Sequence, residues 1–324
     1  MAQIPTISIG FGDYDHTRDL WTGGVTSADL ELDCTVVGSP EETFSRFLQG
    51  GEWDAAEMSL AVATALRGQG DDSLVVLPVF PARAYRQSAI YVRADGPTEA
   101  SELNGARIGI PVWAQTAGVF VRGLLASDHG LDLKSIRWLQ AGVDSPGREE
   151  PVELDTSAFT IERIPDLSLN QLLLAGDVDA VISARPLASV GGRKGAARRL
   201  FPKFTFDEMA YAKESGIFPI MHTLVVRRSY LERHPEAAGA LVEMFTEAKD
   251  RSLARALSPT VPSYPLPWAP ANAERAKGLL GSDFWPYGLD SELNTKTLNT
   301  FLDYCVDQAI TPHRVTIEDL FRVS

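Results

Sequence analysis

Two arginines stand close together in one largely apolar segment, Pro78 to Val92, whose sequence is PVFPARAYRQSAIYV. We predict that Arg83 and Arg86 lie in a loop between two strands, Ser73 to Val79 and Ala89 to Val92. A guanidinium binds a carboxylate or phosphate through two parallel hydrogen bonds, so two arginines on one loop suit an anionic ligand. The alternative is that both arginines only solvate a surface turn.

Groups that can exchange protons occur at three other places in the chain. They are Asp13 and His16 in a Gly-rich loop, Glu57 among small and apolar residues, and His222 in an apolar segment. Imidazole exchanges protons near neutral pH, and burial raises the pKa of a carboxyl group toward the same range. A single histidine in an apolar strand is also a common core residue. Together with the arginines, these groups would add acid and base chemistry to an anion site.

The segments that carry these residues alternate between strand and helix patterns. Ile4 to Gly10 is typical of a first strand, and Ser39-Pro40-Glu41-Glu42 is typical of a helix start, with a cap residue, an N1 proline and an N3 glutamate. The alternation predicts an α/β protein whose two lobes are joined by two crossing strands. We assign residues 1–95 and 224–324 to the first lobe and residues 96–223 to the second, with a ligand cleft between them.

The second lobe adds further candidates for binding an anion. Gln115 and Thr116 open a predicted helix, whose first backbone N–H groups favour negative charge. Arg185 follows a predicted strand at its C-terminal end, where open α/β sheets bind ligands. Ordinary helix capping is the alternative role for the first two residues.

The composition of the chain argues against several classes of partner. The 324 residues carry a formal net charge of −13 without a run of Lys and Arg, which makes nucleic acid an unsuitable partner. No segment approaches the roughly 18 apolar residues of a membrane span. Cys34 and Cys305 are too few for a disulfide framework or a zinc site and suit a reducing compartment. Since the first residues lack the pattern of a secretory signal, we expect a cytoplasmic protein.

Several blocks, spread in order over nearly the whole chain, resemble the 4,5-dihydroxyphthalate decarboxylase family, which has the two-lobed fold of type II periplasmic binding proteins. The blocks are GDYDHT (12–17), EMSL (57–60), PVFPARAYRQSAIYV (78–92), ISARP (182–186), GIFPIMHT (216–223), ERHP (232–235) and DFWPYG (283–288). The resemblance implies that each lobe is a mixed sheet flanked by helices. After ISARP this chain has Leu187-Ala188-Ser189 where the family pattern tends to have a second proline, so a different aromatic acid could be the substrate.

The resemblance also implies a reaction, the loss of CO₂ from a dihydroxylated aromatic dicarboxylate without an organic cofactor. In 4,5-dihydroxyphthalate a hydroxyl lies para to each carboxyl, so the ring oxygen can push electron density to the carbon that carries the carboxylate. A general acid protonates this carbon, and CO₂ leaves as the ring regains aromaticity. Such a site needs cations for the retained carboxylate, a base near the hydroxyls and an acid near the reacting carbon.

We assign these roles to the candidates named above. The GIFPIMHT block favours His222 as the acid, and Glu57 is the first choice for the base, followed by Asp13 and His16. A divalent metal would suit the same groups, but no H-x-x-H or C-x-x-C spacing supports one, so none is expected. The predicted substrate-binding residues are Arg83, Arg86, Ser88, Gln115, Thr116, Arg148 and Arg185.

The expected partner is thus a small aromatic dicarboxylate, and we expect the chain to form a homo-oligomer. A solute-binding protein that captures an organic anion without catalysis is the alternative function. A relative acting in pyrimidine or thiamin-precursor metabolism is a further alternative, against which the absence of a Cys-rich segment counts.

Overall fold

A computed structural model of the chain describes residues 4–191, 195–260 and 263–323, which form two β-sheets flanked by helices. Residues 1–3, part of the segment considered above for a secretory signal, lie outside these ranges. The strands are β1 (Thr6–Gly12), β2 (Glu31–Val37), β3 (Ala55–Ser59), β4 (Leu74–Arg83), β5 (Ile90–Arg93), β6 (Arg107–Ile110), β7 (Arg137–Gly142), β8 (Thr160–Ser168), β9 (Ala180–Ile182), β10 (Ala197–Arg199) and β11 (Ile220–Arg227). The helices are α1 (Arg18–Trp21), α2 (Pro40–Leu48), α3 (Leu60–Gly68), α4 (Thr116–His129), α5 (Leu169–Ala175), α6 (Phe204–Ser215), α7 (Arg228–Leu231), α8 (Ala237–Leu257), α9 (Ala269–Leu280), α10 (Glu292–Asp307) and α11 (Ile317–Leu320).

Both sheets are mixed, as the sequence predicts. The five-stranded sheet has the order β2-β1-β3-β11-β4, in which β1 runs parallel to β2 and β3 while β11 runs antiparallel to β3 and β4. The six-stranded sheet has the order β10-β5-β9-β6-β7-β8. Its central strands β9, β6, β7 and β8 are parallel, and β5 is antiparallel to both of its neighbours. Strand β11, from the C-terminal half of the sequence, is thereby inserted between β3 and β4.

The chain passes from the five-stranded to the six-stranded sheet between Arg83 and Ile90, and returns between Arg199 and Ile220. The predicted lobe boundary at residue 95 places β5 in the first lobe, whereas β5 pairs within the six-stranded sheet. Its Tyr91 packs in a buried cluster with residues of that sheet. The division at residues 95 and 223 stays a prediction, and the strand pairing favours a crossing before β5.

Strand β4 is longer than the sequence suggests. It continues through Pro78 and Pro81 to Arg83, so Arg83 ends a strand and does not lie in a loop. The prolines are tolerated because β4 forms the edge of its sheet, where only one side of the strand needs N–H groups for pairing. Arg83 is paired with Ile220 of β11 in the register of the two strands.

Helix packing holds the sheets in place around a buried core. Phe11 of β1 meets Phe245 of α8 edge to face, with ring centres 5.7 Å apart. Phe120 of α4 stacks on Phe301 of α10 at 5.1 Å, and α10 also contacts α3. The start of α2 is the predicted cap, in which the Ser39 side chain accepts from the N–H of Glu42. In the described part of the chain, no helix has both the length and the apolar character needed to cross a bilayer.

Candidate active site

A cavity of about 610 Å³ lies where elements of the two sheets face each other. One wall consists of α2, the start of α3 and part of β11, and the other consists of the start of α4 and the loops after β7 and β9. The cavity brings together several of the residues singled out from the sequence. These are Arg86, Gln115, Thr116, Arg148, Arg185 and His222.

His222 and Glu57 form a hydrogen-bonded pair on neighbouring strands. In the antiparallel register His222 lies opposite Ser59 of β3. Ser59 and Glu57 are two residues apart, and side chains two residues apart point to the same face of a strand, so Glu57 and His222 share one face of the sheet. Nδ1 of His222 lies 2.5 Å from Oε1 of Glu57. Since Nδ1 is occupied by the carboxylate, Nε2 is the ring nitrogen available to a ligand.

Glu57 is completely buried and receives three hydrogen bonds. Besides His222, the backbone N–H of Gly12 donates to Oε2 at 2.8 Å and the hydroxyl of Tyr14 donates to Oε1 at 2.8 Å. Burial acts to raise the pKa of Glu57, but the hydrogen bond and charge of His222 and the other two donors outweigh it and lower the pKa. Glu57 is therefore an ionised carboxylate. It does not line the cavity, whereas its partner His222 does, so the geometry does not favour Glu57 as a base in direct contact with a ligand.

Tyr14 and His16, from the loop after β1, lie behind this pair. Their rings stack with centres 5.0 Å apart, and Nε2 of His16 donates to the carbonyl of Pro81 at 2.7 Å. Burial lowers the pKa of His16, which keeps the ring neutral. His16 does not line the cavity, and neither does Asp13, whose side chain is exposed. The two residues proposed from the sequence as alternative bases are thus placed away from the cavity.

Arg83 is buried, and its Nη1 and Nη2 bond to protein groups, whereas its Nε has no partner among the described residues. Its guanidinium donates to the carbonyls of Phe218 at 3.1 Å and Pro286 at 2.7 Å and to Oδ1 of Asn294. Burial lowers its pKa to about 9, and it remains charged at neutral pH. Arg83 ties β4 to the segment before β11 and to α10, and it does not line the cavity. The sequence alone does not separate it from Arg86 because both follow the same apolar run.

Arg86 lines the cavity at the crossing between the two sheets. Its Nε lies 3.1 Å from Sδ of Met221, and its Nη1 donates to the carbonyl of Ala184 at 3.3 Å, a residue that follows β9. Burial lowers the pKa of Arg86. Ser88, two residues further on, does not line the cavity, and its backbone contacts Glu208 and Arg199 instead.

Arg148 and Arg185 extend into the cavity from loops of the six-stranded sheet. Nη2 of Arg148 lies 3.7 Å from Oε1 of Glu41, at the start of α2 in the opposite wall. Burial acts to raise the pKa of Glu41, but hydrogen bonds from its own N–H and from Ser39, with the charges of both arginines, lower it. We call Arg86, Arg148 and Arg185 the cleft arginines.

The starts of α3 and α4 meet at the cavity wall. The hydroxyl of Thr116 accepts from the N–H of Ala61 at 3.0 Å and lies 2.9 Å from the hydroxyl of Ser59. Thr116 is therefore engaged in joining the two helix ends. Gln115 precedes it as the N-cap residue of α4, and its side chain makes no capping bond.

The sequence analysis missed four residues that shape the site. Phe44 packs edge-on against His222 with ring centres 5.0 Å apart, and Glu150 accepts the N–H groups of Trp113 and Ala114 before α4 at 2.7 Å each. Burial raises the pKa of Glu150. Tyr14 and Glu41 are the other two. Tyr14 lies in the Gly-rich loop and Glu41 in the helix cap, but the sequence does not show their contacts with Glu57 and Arg148.

Within the described ranges, no group of three or more His, Cys, Asp or Glu side chains is placed to hold a metal ion. The charged groups of the cavity are instead arranged as arginine–carboxylate contacts and as the Glu57–His222 pair. This arrangement can bind an anion and can move one proton through Nε2 of His222.

No family model matches the chain, but individual known proteins are similar to it in sequence. A curated 4,5-dihydroxyphthalate decarboxylase from Comamonas testosteroni is 31% identical over 322 residues, covering 97% of this chain and 96% of that protein. The chain belongs to the 4,5-dihydroxyphthalate decarboxylase family. A second family member, from Pseudomonas putida, is 36% identical over 194 residues, covering 57% of this chain and 75% of that protein.

Solved structures show the fold of this family member. The alkanesulfonate-binding protein SsuA from Xanthomonas axonopodis pv. citri matches with a TM-score of 0.53 at 15% identity, covering 99% of both chains. The desulfurization enzyme DSZB matches with a TM-score of 0.52 at 16% identity, covering 98% of this chain and 96% of that one. The predicted two-lobed architecture of the periplasmic binding proteins is therefore confirmed.

Proposed function

We propose that this protein removes one carboxyl group from 4,5-dihydroxyphthalate, giving 3,4-dihydroxybenzoate and CO₂. The observation that carries the proposal is the Glu57–His222 pair at a cavity with three arginines, in a chain related over nearly its whole length to a decarboxylase of that name. The reaction needs an anion-binding site and one proton donor, and the cavity contains residues suited to both tasks.

The cleft arginines bind the carboxylate that the product retains. Arginine suits this role because its planar guanidinium can bind both oxygens of a carboxylate at once. Arg86 contacts Met221 of β11 and lines the same cavity as His222, whereas Arg148 and Arg185 belong to loops of the other sheet. A bound dianion would form ion pairs with arginines on both walls of the cavity.

His222 supplies the proton to the ring carbon that loses CO₂. In its protonated form Nε2 carries the hydrogen, and the ionised Glu57 stabilises the imidazolium from the side of Nδ1. The para hydroxyl pushes an electron pair to the ring carbon, the Nε2–H bond breaks and a C–H bond forms. The bond to the carboxylate then breaks, its electron pair restores the aromatic ring, and His222 regains a proton from water.

None of the three residues proposed as bases lines the cavity. The lone pair of the ring hydroxyl can supply electron density without full deprotonation, so the mechanism assigns no protein base to Asp13, His16 or Glu57.

The experiment is turnover in deuterated buffer. Purified protein and 4,5-dihydroxyphthalate should release CO₂ and give 3,4-dihydroxybenzoate with one deuterium, at the carbon ortho to the retained carboxylate. Phthalate, which lacks the hydroxyls, is the matched control and should bind without reacting. Stoichiometric binding of both compounds without CO₂ would instead support the solute-binding alternative.

We further propose that the protein acts in the cytoplasm and as a homo-oligomer. Both Cys34 and Cys305 are free thiols, which supports a reducing compartment. Size measurement in solution and fractionation of the producing cells test these two points.

A further inference from the structure

Tyr14 and His222 share one oxygen atom of Glu57. The Tyr14 hydroxyl donates to Oε1 at 2.8 Å, and Nδ1 of His222 lies 2.5 Å from the same Oε1. The other oxygen, Oε2, is taken by the N–H of Gly12. Two donors on one oxygen divide its negative charge, so each hydrogen bond affects the strength of the other.

The position of Tyr14 is fixed from two sides. His16 stacks on its ring, with only 8° between the ring planes, and Pro81 holds His16 through a hydrogen bond. A Cβ atom at Gly12 would come within 2.6 Å of the Tyr14 ring, so glycine is needed for the close approach. Burial and the neighbouring Glu57 raise the pKa of Tyr14, which keeps the phenol as an O–H donor.

We propose that Tyr14 is a positioning residue that sets how readily His222 gives up its proton. Its hydroxyl draws charge from Oε1 and thereby weakens the hold of Glu57 on the imidazolium. A less strongly held imidazolium transfers the Nε2 hydrogen to carbon more readily. The inference rests on the proposed function only where turnover is the measurement.

Other groups around the pair do not make this contact. Within residues 4–191, 195–260 and 263–323, the side-chain hydrogen bonds of Glu57 and His222 are those already named. The nearby titratable and charged groups are His16 and Tyr287 on the side of Glu57, together with Arg86, Arg148, Arg185, Glu41, Glu149 and Glu150 around the cavity. Their electrostatic effect on the Glu57–His222 pair is the same in wild type and in a Tyr14 variant.

The test is an NMR titration of the His222 ring in protein labelled with ¹⁵N-histidine, the signal being assigned by its loss in His222→Asn. In Tyr14→Phe the titration midpoint should rise by about half a pH unit, because Oε1 then serves His222 alone. The alkaline limb of the kcat profile should move in the same direction. The Kd of phthalate should stay within about twofold of wild type.

Tyr264→Phe is the matched control, since it also removes a hydroxyl bonded to a carboxylate, that of Asp15 at 2.6 Å, but away from the cavity. It should leave the His222 midpoint unchanged. An unchanged midpoint in folded Tyr14→Phe would overturn the inference and leave Tyr14 with a packing role.

A second replacement of Tyr14 distinguishes an altered hydrogen bond from misfolding of the variant. Replacing Tyr14 by 3-fluorotyrosine keeps its size and strengthens the O–H donor, so the midpoint must fall. A midpoint that stays or rises would contradict the inference. Because the titration needs no turnover, a protein with the expected shifts that does not decarboxylate 4,5-dihydroxyphthalate would refute the proposed function alone.

Discussion

Arg86 and Met221 are in contact, with the guanidinium Nε 3.1 Å from the methionine Sδ. Arg86, Met221 and His222 all line the cavity. The positive charge of Arg86 and the proton on His222 would therefore face the same bound dicarboxylate.

Arg86→Lys should weaken substrate binding although the charge is kept. Losing the bidentate contact is expected to raise KM about 10- to 100-fold, with a smaller effect on kcat. Steady-state kinetics with 4,5-dihydroxyphthalate measures both. Arg137→Lys is the matched control, because Arg137 is exposed and pairs with Glu162 at the surface. Equal KM values for Arg86→Lys and wild type would remove Arg86 from the site.

Arg83→Met should affect stability and leave binding intact. The change removes the buried guanidinium donor from the carbonyls of Phe218 and Pro286 and from Oδ1 of Asn294, and among the described residues only the Pro286 carbonyl keeps a second donor, Nδ2 of Asn294. We expect the free energy of unfolding to fall by about 3 kcal/mol, measured by urea unfolding. The KM of the folded variant should match that of wild type. A raised KM with unchanged unfolding would instead return Arg83 to substrate binding.

His222→Asn should abolish most of the turnover and preserve binding. Removing a general acid typically costs 10²- to 10⁴-fold in rate, and we expect kcat to fall within this range. The Kd of phthalate, measured by calorimetry, should change little. Asp13→Asn is the control at an exposed carboxylate and should keep wild-type kcat. If His222→Asn turned over normally, the proton would have to come from another group.

Glu57→Gln should change how stability depends on pH. The folded-state pKa of Glu57 is lowered, so its ionisation stabilises the fold above the unfolded pKa of about 4.3, and this contribution is lost as pH falls through the folded pKa. The difference in unfolding free energy between wild type and Glu57→Gln should therefore be largest near neutral pH and shrink below about pH 4. Urea unfolding at several pH values measures it. A difference that is constant with pH would mean that Glu57 is not ionised in the fold.

The sequence predicted the start of α2, because a helix cap depends on neighbouring residues. Ser39 caps α2 as its motif indicates, and Arg185 follows β9 into the cavity. The two-lobed fold followed from the order of strands and helices together with the family blocks.

Partners distant in the chain could not be predicted in the same way. The burial of Arg83 depends on Pro286 and Asn294, some 200 residues away. Likewise, Glu57 meets Tyr14 because β1 pairs with β3, and it meets His222 because β11 is inserted on the other side of β3. A glutamate in an apolar strand signals a special role, but strand pairing decides whether it meets a ligand or a histidine.

The insertion of β11 beside β3 keeps Glu57 and His222 in one sheet, whereas Arg148 and Arg185 extend from loops of the other. A hinge motion of one sheet against the other would change the distance from these arginines to His222 without altering the Glu57–His222 bond. The Glu57–His222 pair is thus already formed before substrate arrives. Changes in the arginine loops could therefore alter substrate choice during evolution while the chemistry at His222 is inherited unchanged.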